Sequence, residues 1–250
     1  MAIKIGCCGW AVKGGMSKYF ETFDLIELQS TFYKLPTIET ARRWREMAPE
    51  TFIYTMKAWQ AVTHPPTSPT WRKSGLKITE DKYSKYGLLR PTNENYEAWN
   101  RTVEIAEALK CRVIVLQMPP SFIKNQESLS NIKEFMSTAK RPKNIEIGIE
   151  FRHESWDDQT ISKICEDFGL IHIVDPFKQK LARDTSSIIY YRLHGLGSKP
   201  YVYDYSLEEL KKLYEEWVKP YADTKEVYVL FNNTNMANDA LDFKKVILAT

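Results

Sequence analysis

Eight short apolar runs, spaced along the whole chain, constrain the fold of this sequence most strongly. Most are rich in Ile, Val, Phe and Tyr, and several are almost continuously apolar, which is typical of parallel strands that are covered on both faces. Helix-like stretches follow most of them, and 250 residues is a usual length for a (β/α)8 barrel. We therefore expect an α/β fold in which residues 1–250 form one TIM-like barrel domain. The predicted strands are Ile3–Cys8, Leu25–Ser30, Phe52–Ala58, Val113–Met118, Ile145–Phe151, Leu170–Asp175, Ile188–His194 and Val227–Phe231.

The helices are predicted from apolar residues that recur at helical spacing. This pattern covers residues 96–109, 129–136 and 210–217. Ser206 and Glu209 have the spacing of a capping box, so the last of these helices is expected to begin there.

The segment between the third and fourth predicted strands is unusually long. It spans about 60 residues, whereas a βα unit needs about 30. The excess, from Gln60 to Asn93, contains three prolines and Trp71 in the sequence HPPTSPTWRKSG, which favours an ordered excursion. A long loop after a barrel strand lies at the C-terminal mouth, so we expect a lid that begins near His64. A surface decoration is the alternative.

Composition excludes several classes of protein. Hydrophobic residues make up 43% of the chain and charged residues 27%, which excludes a disordered chain. No apolar run reaches the roughly 18 residues of a membrane span, and the beginning, MAIKIGCCGW, is typical of a strand rather than a signal peptide. The net charge of +3 is spread without basic blocks, so composition does not single out nucleic acid as a partner.

The four cysteines indicate a reducing compartment. They form no CxxC motif and no Cys/His cluster with zinc spacing. We expect free, buried thiols and a cytoplasmic protein; a reactive thiol at Cys7 or Cys8 is the alternative.

Charged residues at the ends of the strands locate a candidate site. Side chains alternate between the two faces of a strand, so that Arg192 and His194 share one face of the seventh strand, and Glu150 and Arg152 share one face of the fifth. These charges are accommodated only toward the barrel axis. The same parity turns further polar residues inward near the C-terminal rim: Glu27 and Gln29 on the second strand, Lys57 on the third, Gln117 on the fourth, Asp175 on the sixth, and either Asn232 or Asn233 after the eighth.

Two interpretations of these inward charges stay open. Burying an unpaired charge is strongly unfavourable, so the groups must meet one another, water, a metal or a ligand. An ion-pair network that only closes the barrel is one interpretation. A ligand site is the other, and it is favoured because every member falls at a strand end, where barrel sites form. His172 has the opposite parity to Asp175 and is expected to face the helices, whereas Trp10 follows a strand end and could line the pocket.

Several motifs appear in order across nearly the whole chain and carry a family resemblance. They are GCCGW, IELQSTFYKLP, MKAWQAVTH, LQMPPSF, IEFRHESW, YYRLHG, YVYDYS and VYVLFNN. Together they resemble the YecE-like family, the domain of unknown function 72. The resemblance implies a TIM-barrel-like fold and a polar mouth at positions that agree with the parity argument, and it adds Tyr33 to the residues expected there. Cys8, Gln29 and Thr234 depart from the usual pattern of the family. The last departure weakens a metal-binding acid at the eighth strand.

The favoured functional hypothesis is a metal-independent enzyme that acts on a small anion by hydrolysis or lyase chemistry. Glu27, Glu150, Asp175 and His194 are the expected catalytic residues, with Glu150 or His194 as the base. The planar guanidinium group of an arginine and the ammonium group of a lysine both suit a phosphate or a carboxylate. The expected substrate-binding residues are Lys57, His64, Gln117, Arg152, Arg192, Asn232, Trp10 and Tyr33.

Two alternative functions remain open, besides the ion-pair network that only closes the barrel. In a metal-dependent phosphodiesterase or nuclease, the acids together with His153 and His194 would bind a divalent cation, although no cofactor is required by the favoured hypothesis. In a non-catalytic nucleotide or nucleic-acid binder, the aromatic residues would stack on bases. The backbone amides of Gly195 and Gly197 could also bind phosphate, but two glycines in a loop more often form a turn. No membrane partner is expected, and the sequence does not determine the oligomeric state.

Overall fold

Eight parallel strands form the framework of the protein, seen in a computed structural model that describes residues 3–199 and 201–249. They are hydrogen-bonded in chain order and close into a barrel, so the predicted α/β barrel is confirmed. The strands are β1 (Ile3–Cys7), β2 (Leu25–Leu28), β3 (Ile53–Lys57), β4 (Val113–Gln117), β5 (Glu146–Glu150), β6 (Ile171–Val174), β7 (Ile188–Leu193) and β8 (Glu226–Phe231).

Helices follow the strands along the chain. The α-helices are α1 (Gly15–Thr22), α2 (Ser30–Tyr33), α3 (Ile38–Met47), α4 (Gln60–Thr63), α5 (Asn93–Ala108), α6 (Gln126–Thr138), α7 (Asp158–Phe168), α8 (Leu207–Lys212) and α9 (Met236–Leu248). Ser206 and Glu209 form the predicted capping box before α8. Within the described ranges, no helix is long and apolar enough to cross a membrane.

Internal contacts divide the chain into two compact units. The first unit consists of Met1–Glu27, Ala48–Ile53 and Ile171–Thr250, and the second of Leu28–Met47 and Tyr54–Leu170. That the whole chain forms one domain stays a prediction.

In the first unit, β1 pairs with β2 and β8, and β7 pairs with β6 and β8. Gly6 is required where β1 meets β2, because an added Cβ would lie 1.9 Å from the carbonyl oxygen of Leu25. Buried aliphatic and aromatic side chains pack both faces of these strands; they include Tyr190 and Tyr228, whose rings are 6.0 Å apart, and Phe231, whose ring lies 6.0 Å from that of Phe243 in α9.

In the second unit, β4 pairs with β3 and β5, and this register places Gln117 opposite Glu150. Helices α5 and α6 contact each other through aromatic rings: Tyr96 stacks on Phe135 at 5.2 Å, and Trp99 lies edge-on to the same ring.

The long excursion after β3 is ordered, as predicted. It contains α4 and two 3-10 helices, Pro69–Lys73 and Glu80–Lys85. Buried Trp71 donates its indole N–H to the His64 carbonyl at 2.9 Å, and Gly87 donates its N–H to the Ala61 carbonyl at 2.7 Å. These bonds fold the excursion back on its own start, close to His64. A lid function stays a prediction.

Helix α8 differs from the expectation of one continuous helix through Trp217. Regular α-helical bonding ends at Lys212, and Leu213–Val218 forms a π-helical turn. Pro220 follows and lacks the N–H that would bond the Glu216 carbonyl, which accounts for the change of hydrogen-bonding pattern.

Candidate functional site

A fully buried ion pair in the first unit joins β2 and β7. The guanidinium of Arg192 donates from Nη2 to Glu27 Oε1 at 2.8 Å, and Tyr190 donates its hydroxyl to Oε2 at 2.8 Å. Both ionic side chains are 0% exposed. Tyr191, between the two donors, turns the other way and donates to the Trp217 carbonyl, so the predicted alternation along β7 is confirmed.

The groups around this ion pair favour a structural role for Glu27. The nearby Cys8 thiol is buried, and its pKa is raised mainly by burial and further by Glu27, whereas Arg192 lowers it. Cys8 therefore stays a protonated thiol, and all four cysteines are buried thiols outside any disulfide, as predicted. Since both Glu27 oxygens accept hydrogen bonds inside the barrel, the geometry suits a structural role. A catalytic Glu27 and a substrate-binding Arg192 stay predictions.

Three polar residues follow strands β6, β7 and β8 in the same unit. Asp175 accepts the backbone N–H of His194 at 2.9 Å and that of Phe177 at 3.2 Å. The Asn232 amide nitrogen lies 3.1 Å from Nδ1 of the His194 ring. If Asn232 donates this bond, the imidazole proton is on Nε2. His194 is only 7% exposed. We call Asp175, His194 and Asn232 the His194 group.

The two asparagines after β8 have different partners. Asn232 contacts His194, whereas Asn233 donates to the Tyr203 carbonyl at 2.8 Å and to Asp239 at 2.5 Å. Asn232 is thus the asparagine that adjoins a predicted catalytic residue.

Gly195, the first of the two loop glycines after β7, does not suit the phosphate-binding alternative. The Gly195 N–H already donates to the Tyr205 hydroxyl at 2.8 Å. The residue has φ +82°, and an added Cβ would lie 2.3 Å from the Cβ of Tyr203. Glycine is required at this position by the turn and by the close approach of Tyr203.

A second polar cluster lies in the second unit, at the ends of β4 and β5. Arg152 Nε lies 2.5 Å from Glu150 Oε1, and Nη2 donates to Gln117 Oε1 at 3.3 Å. Glu150 is buried, whereas the Arg152 side chain is 20% exposed. Parity predicted that Glu150 and Arg152 share one face of the strand, and these two side chains are in contact.

Lys57 and His64 extend this cluster. The buried Lys57 ammonium lies 3.9 Å from the centre of the Phe32 ring, and the His64 ring lies edge-on to the same phenyl group at 4.8 Å. Burial, and then the charges of Lys57 and Arg152, lower the pKa of His64 to about 3. The imidazole is therefore neutral at physiological pH. We call Lys57, His64, Gln117, Glu150 and Arg152 the Arg152 group.

The two aromatic residues predicted to bind substrate each make contacts within their own unit. In the first unit, Trp10 is edge-on to Tyr19 and Phe20, at 5.2 and 5.6 Å. In the second unit, the Tyr33 carbonyl accepts the side-chain N–H groups of Trp59 and Gln60. Neither arrangement tests the binding role of Trp10 or Tyr33.

Potential metal ligands are dispersed in the part of the chain that the structure describes. Within residues 3–199 and 201–249, no three His, Cys, Asp or Glu side chains are grouped closely enough to hold a metal ion together. His153, a candidate ligand in the metal hypothesis, has its Nδ1 2.9 Å from the hydroxyl of Ser155.

Sequence reasoning missed two features of the first unit. Tyr190 shares a face with Arg192, but nothing in the sequence indicated that its hydroxyl would bond Glu27. Asp204 and Asp239 both accept a hydrogen bond from Asn235 although they lie 35 positions apart in the chain, and no motif linked them.

Comparisons with known proteins identify relatives of this chain. A family model described as "Protein of unknown function DUF72" matches residues 4–247. The UPF0759 protein YunF of Bacillus subtilis is 24% identical, over 98% of this chain and 93% of that protein. The crystal structure of a DUF72 family protein from Thermotoga maritima is 26% identical, has a TM-score of 0.71, and covers 98% of this chain and 99% of its own.

More distant solved structures share the fold alone. Endonuclease IV from Thermus thermophilus has a TM-score of 0.57 at 13% identity, covering 99% of this chain and 100% of its own. A D-psicose 3-epimerase also has a TM-score of 0.57, at 11% identity, covering 98% and 97%. One of these proteins is named an endonuclease and the other an epimerase, so the fold does not determine the reaction, which must be argued from the site.

Proposed function

The chain belongs to the DUF72 family of proteins of unknown function, and from that premise we propose that it is an enzyme that acts on an anionic small molecule. The substrate carries a phosphate or carboxylate that Lys57 and Arg152 bind. The reaction is a hydrolysis or an elimination with proton transfer to and from side chains.

The observation that carries this proposal is the combined effect of two cations on one imidazole. Lys57 and Arg152 both lower the pKa of His64, so both charges lie near the same buried ring. Glu150 supplies the negative charge in contact with Arg152, and with it the Arg152 group has a net charge of +1. Little water reaches Lys57 or Glu150 because both side chains are buried, which strengthens their attraction for an anion or a developing charge.

Each residue of the Arg152 group has a distinct role in the proposal. Arg152 presents a planar fork that suits phosphate or carboxylate, and Lys57 adds a point charge. Neutral His64 offers one hydrogen bond from its ring without adding charge, and Gln117 orients Arg152. Glu150 is the general base.

The His194 group is a second set of side chains able to move a proton. Asn232 holds the ring through Nδ1, and Asp175 holds the backbone of the same residue. Such fixed geometry favours proton transfer at Nε2. Whether His194 contributes to turnover is tested by His194→Gln.

A thermal-shift screen tests the anion site. Phosphate monoesters and small dicarboxylates are added to the wild-type protein and to Lys57→Met, Arg152→Met and Glu150→Gln, with Lys143→Met, an exposed lysine, as the matched control. Removing one charge-assisted hydrogen bond is worth about 1.5–3 kcal/mol, so each cation variant should bind the same anion about 10- to 100-fold more weakly. Lys143→Met should bind like the wild type.

Turnover of an anion found in this screen tests the catalytic part. Glu150→Gln should retain the fold and lose turnover. Turnover that survives Glu150→Gln removes Glu150 from the mechanism, and anion binding unchanged in both cation variants refutes the proposed site. Activity that a chelator abolishes would instead support the metal-dependent alternative.

A further inference from the structure

A cavity of about 500 Å³ lies in the second unit, between α2 and α3. Its walls are largely apolar and include the side chains of Tyr33, Leu35, Pro36 and Trp44. Both aromatic side chains are half-buried, so part of each ring is open to a ligand. A concave site of this size, with apolar walls and a few polar groups, is typical of a small-molecule site.

The backbone that carries the two aromatic rings is held by the rest of the unit. The Tyr33 carbonyl accepts the side-chain N–H groups of Trp59 and Gln60, at 3.3 and 3.2 Å. The Trp44 carbonyl accepts the Tyr54 hydroxyl at 2.9 Å. The rings are therefore supported by contacts within the protein, which reduces the entropy lost when a ligand binds.

The polar groups of this cavity are mainly hydrogen-bond donors. In residues 3–199 and 201–249, the Tyr33 hydroxyl, the Trp44 indole N–H and the Lys34 ammonium have no hydrogen-bond partner. No carboxylate or carboxamide side chain from the same ranges lines the cavity. A sugar would find few side-chain acceptors for its hydroxyl groups, whereas a flat heteroaromatic ring with acceptor atoms at its edge suits both the rings and the donors.

Two lysines place positive charge beside these rings. Lys34 lines the cavity, and the Lys73 ammonium lies 5.1 Å from the centre of the Tyr33 ring. Both lysines are exposed, and neither forms an ion pair with any residue that the structure describes. An ammonium group binds phosphate as a point charge, so the acceptor-rich ring that fits this cavity is expected to carry a phosphate.

From these observations we propose that the cavity binds a nucleotide. One of the two aromatic rings stacks on the base, and the polar group of the other donates a hydrogen bond to the edge of the base. Lys34 and Lys73 bind the phosphate. This site is distinct from the anion site of the Arg152 group and does not depend on it, although the buried Phe32 ring contacts both, at 5.0 Å from the Tyr33 ring and 3.9 Å from the Lys57 ammonium.

Calorimetric titration with adenosine monophosphate and ribose phosphate tests the role of the base. A stacked base strengthens binding about 5- to 150-fold, so the wild type should prefer adenosine monophosphate by this factor. Tyr33→Leu and Trp44→Leu should each remove most of this preference and leave ribose phosphate binding unchanged. Lys34→Met should weaken the binding of both phosphates. Trp217→Leu, at a half-buried tryptophan of the other unit, should bind like the wild type.

Adenosine, which has no phosphate, separates this site from the anion site. It should bind equally to the wild type and to the double variant Lys57→Met, Arg152→Met, and about 5- to 150-fold more weakly to Trp44→Leu. If the anion site fails its own test, adenosine binding should persist.

Four results would overturn the nucleotide site. They are equal wild-type affinities for adenosine monophosphate and ribose phosphate, no adenosine binding by the wild type, adenosine binding unchanged in both ring variants, and the same loss in Trp217→Leu. Circular dichroism checks that each variant folds, and the exposed Lys34 gives a variant that leaves both rings in place.

Discussion

The ion pair between Glu27 and Arg192 gives the sharpest prediction on stability. Glu27→Gln keeps the shape of the side chain and one acceptor, but removes the charge that balances a guanidinium with 0% exposure. Removing one partner of a buried ion pair costs about 3–5 kcal/mol, because the remaining charge is left in a medium that solvates it poorly. The total free energy of unfolding of a domain is about 5–15 kcal/mol, so this single change should remove a large part of it.

Urea denaturation in reducing buffer measures this cost through a double-mutant cycle of Glu27→Gln, Arg192→Met and the double variant. The double variant removes both charges, so it should be less destabilised than the sum of the two single changes by at least about 2 kcal/mol. Tyr190→Phe removes the hydroxyl that donates to the Glu27 carboxylate and should cost about 1.5–3 kcal/mol. A Glu27→Gln variant that loses under about 1 kcal/mol, or single changes that simply add, would refute the reasoning.

Three further predictions concern local structure and pH. Gly195→Ala should lower the free energy of unfolding by at least about 2 kcal/mol, since its Cβ would strike Tyr203, whereas Gly75→Ala, with φ +71° and open space, should cost about 1 kcal/mol; equal losses in urea melts would contradict the steric argument. The pKa of His64 is lowered to about 3 by burial and two nearby cations, so the unfolded chain binds the extra proton and stability falls as the pH drops from about 6.5 toward 3. In His64→Gln this acid-side slope should be shallower by up to about 1.4 kcal/mol per pH unit, and an unchanged slope would show that His64 is not its source. Ser206→Ala removes the capping-box acceptor and should lower the free energy of unfolding by about 1 kcal/mol. A melting temperature equal to that of the wild type would contradict this prediction.

The spacing of apolar residues and the alternation of side chains along the strands predicted the strand positions and several of the side-chain contacts. The alternation along β7 assigns Tyr191 and Arg192 to opposite faces, because successive side chains of a strand point to opposite sides. The buried charge of Arg192 needs a partner, and Glu27 supplies it. The same argument placed Glu150 and Arg152 on one face of β5 and its continuation, and they are in contact. Strand positions were predicted within one or two residues, since apolar runs and strand lengths nearly coincide.

Long-range partners were harder to predict. Parity left Asn232 and Asn233 equivalent, and only the turn after β8 gives one to His194 and the other to Asp239. Asn235 bridges Asp204 on a loop and Asp239 in α9, and no local pattern in the chain encodes such a bridge. The π-helical turn after Lys212 likewise depends on Pro220, whose effect on the preceding turn the apolar spacing did not reveal.

Calorimetric titration with a phosphate monoester tests the central claim most directly. The wild type should bind it, with an affinity that falls as salt rises. The double variant Lys57→Met, Arg152→Met should show at least a hundredfold loss, as expected if each cation contributes about 1.5–3 kcal/mol. Equal binding of the ester by the wild type and the double variant would contradict an anion site in the Arg152 group. So would a wild-type protein that binds neither this ester nor small dicarboxylates.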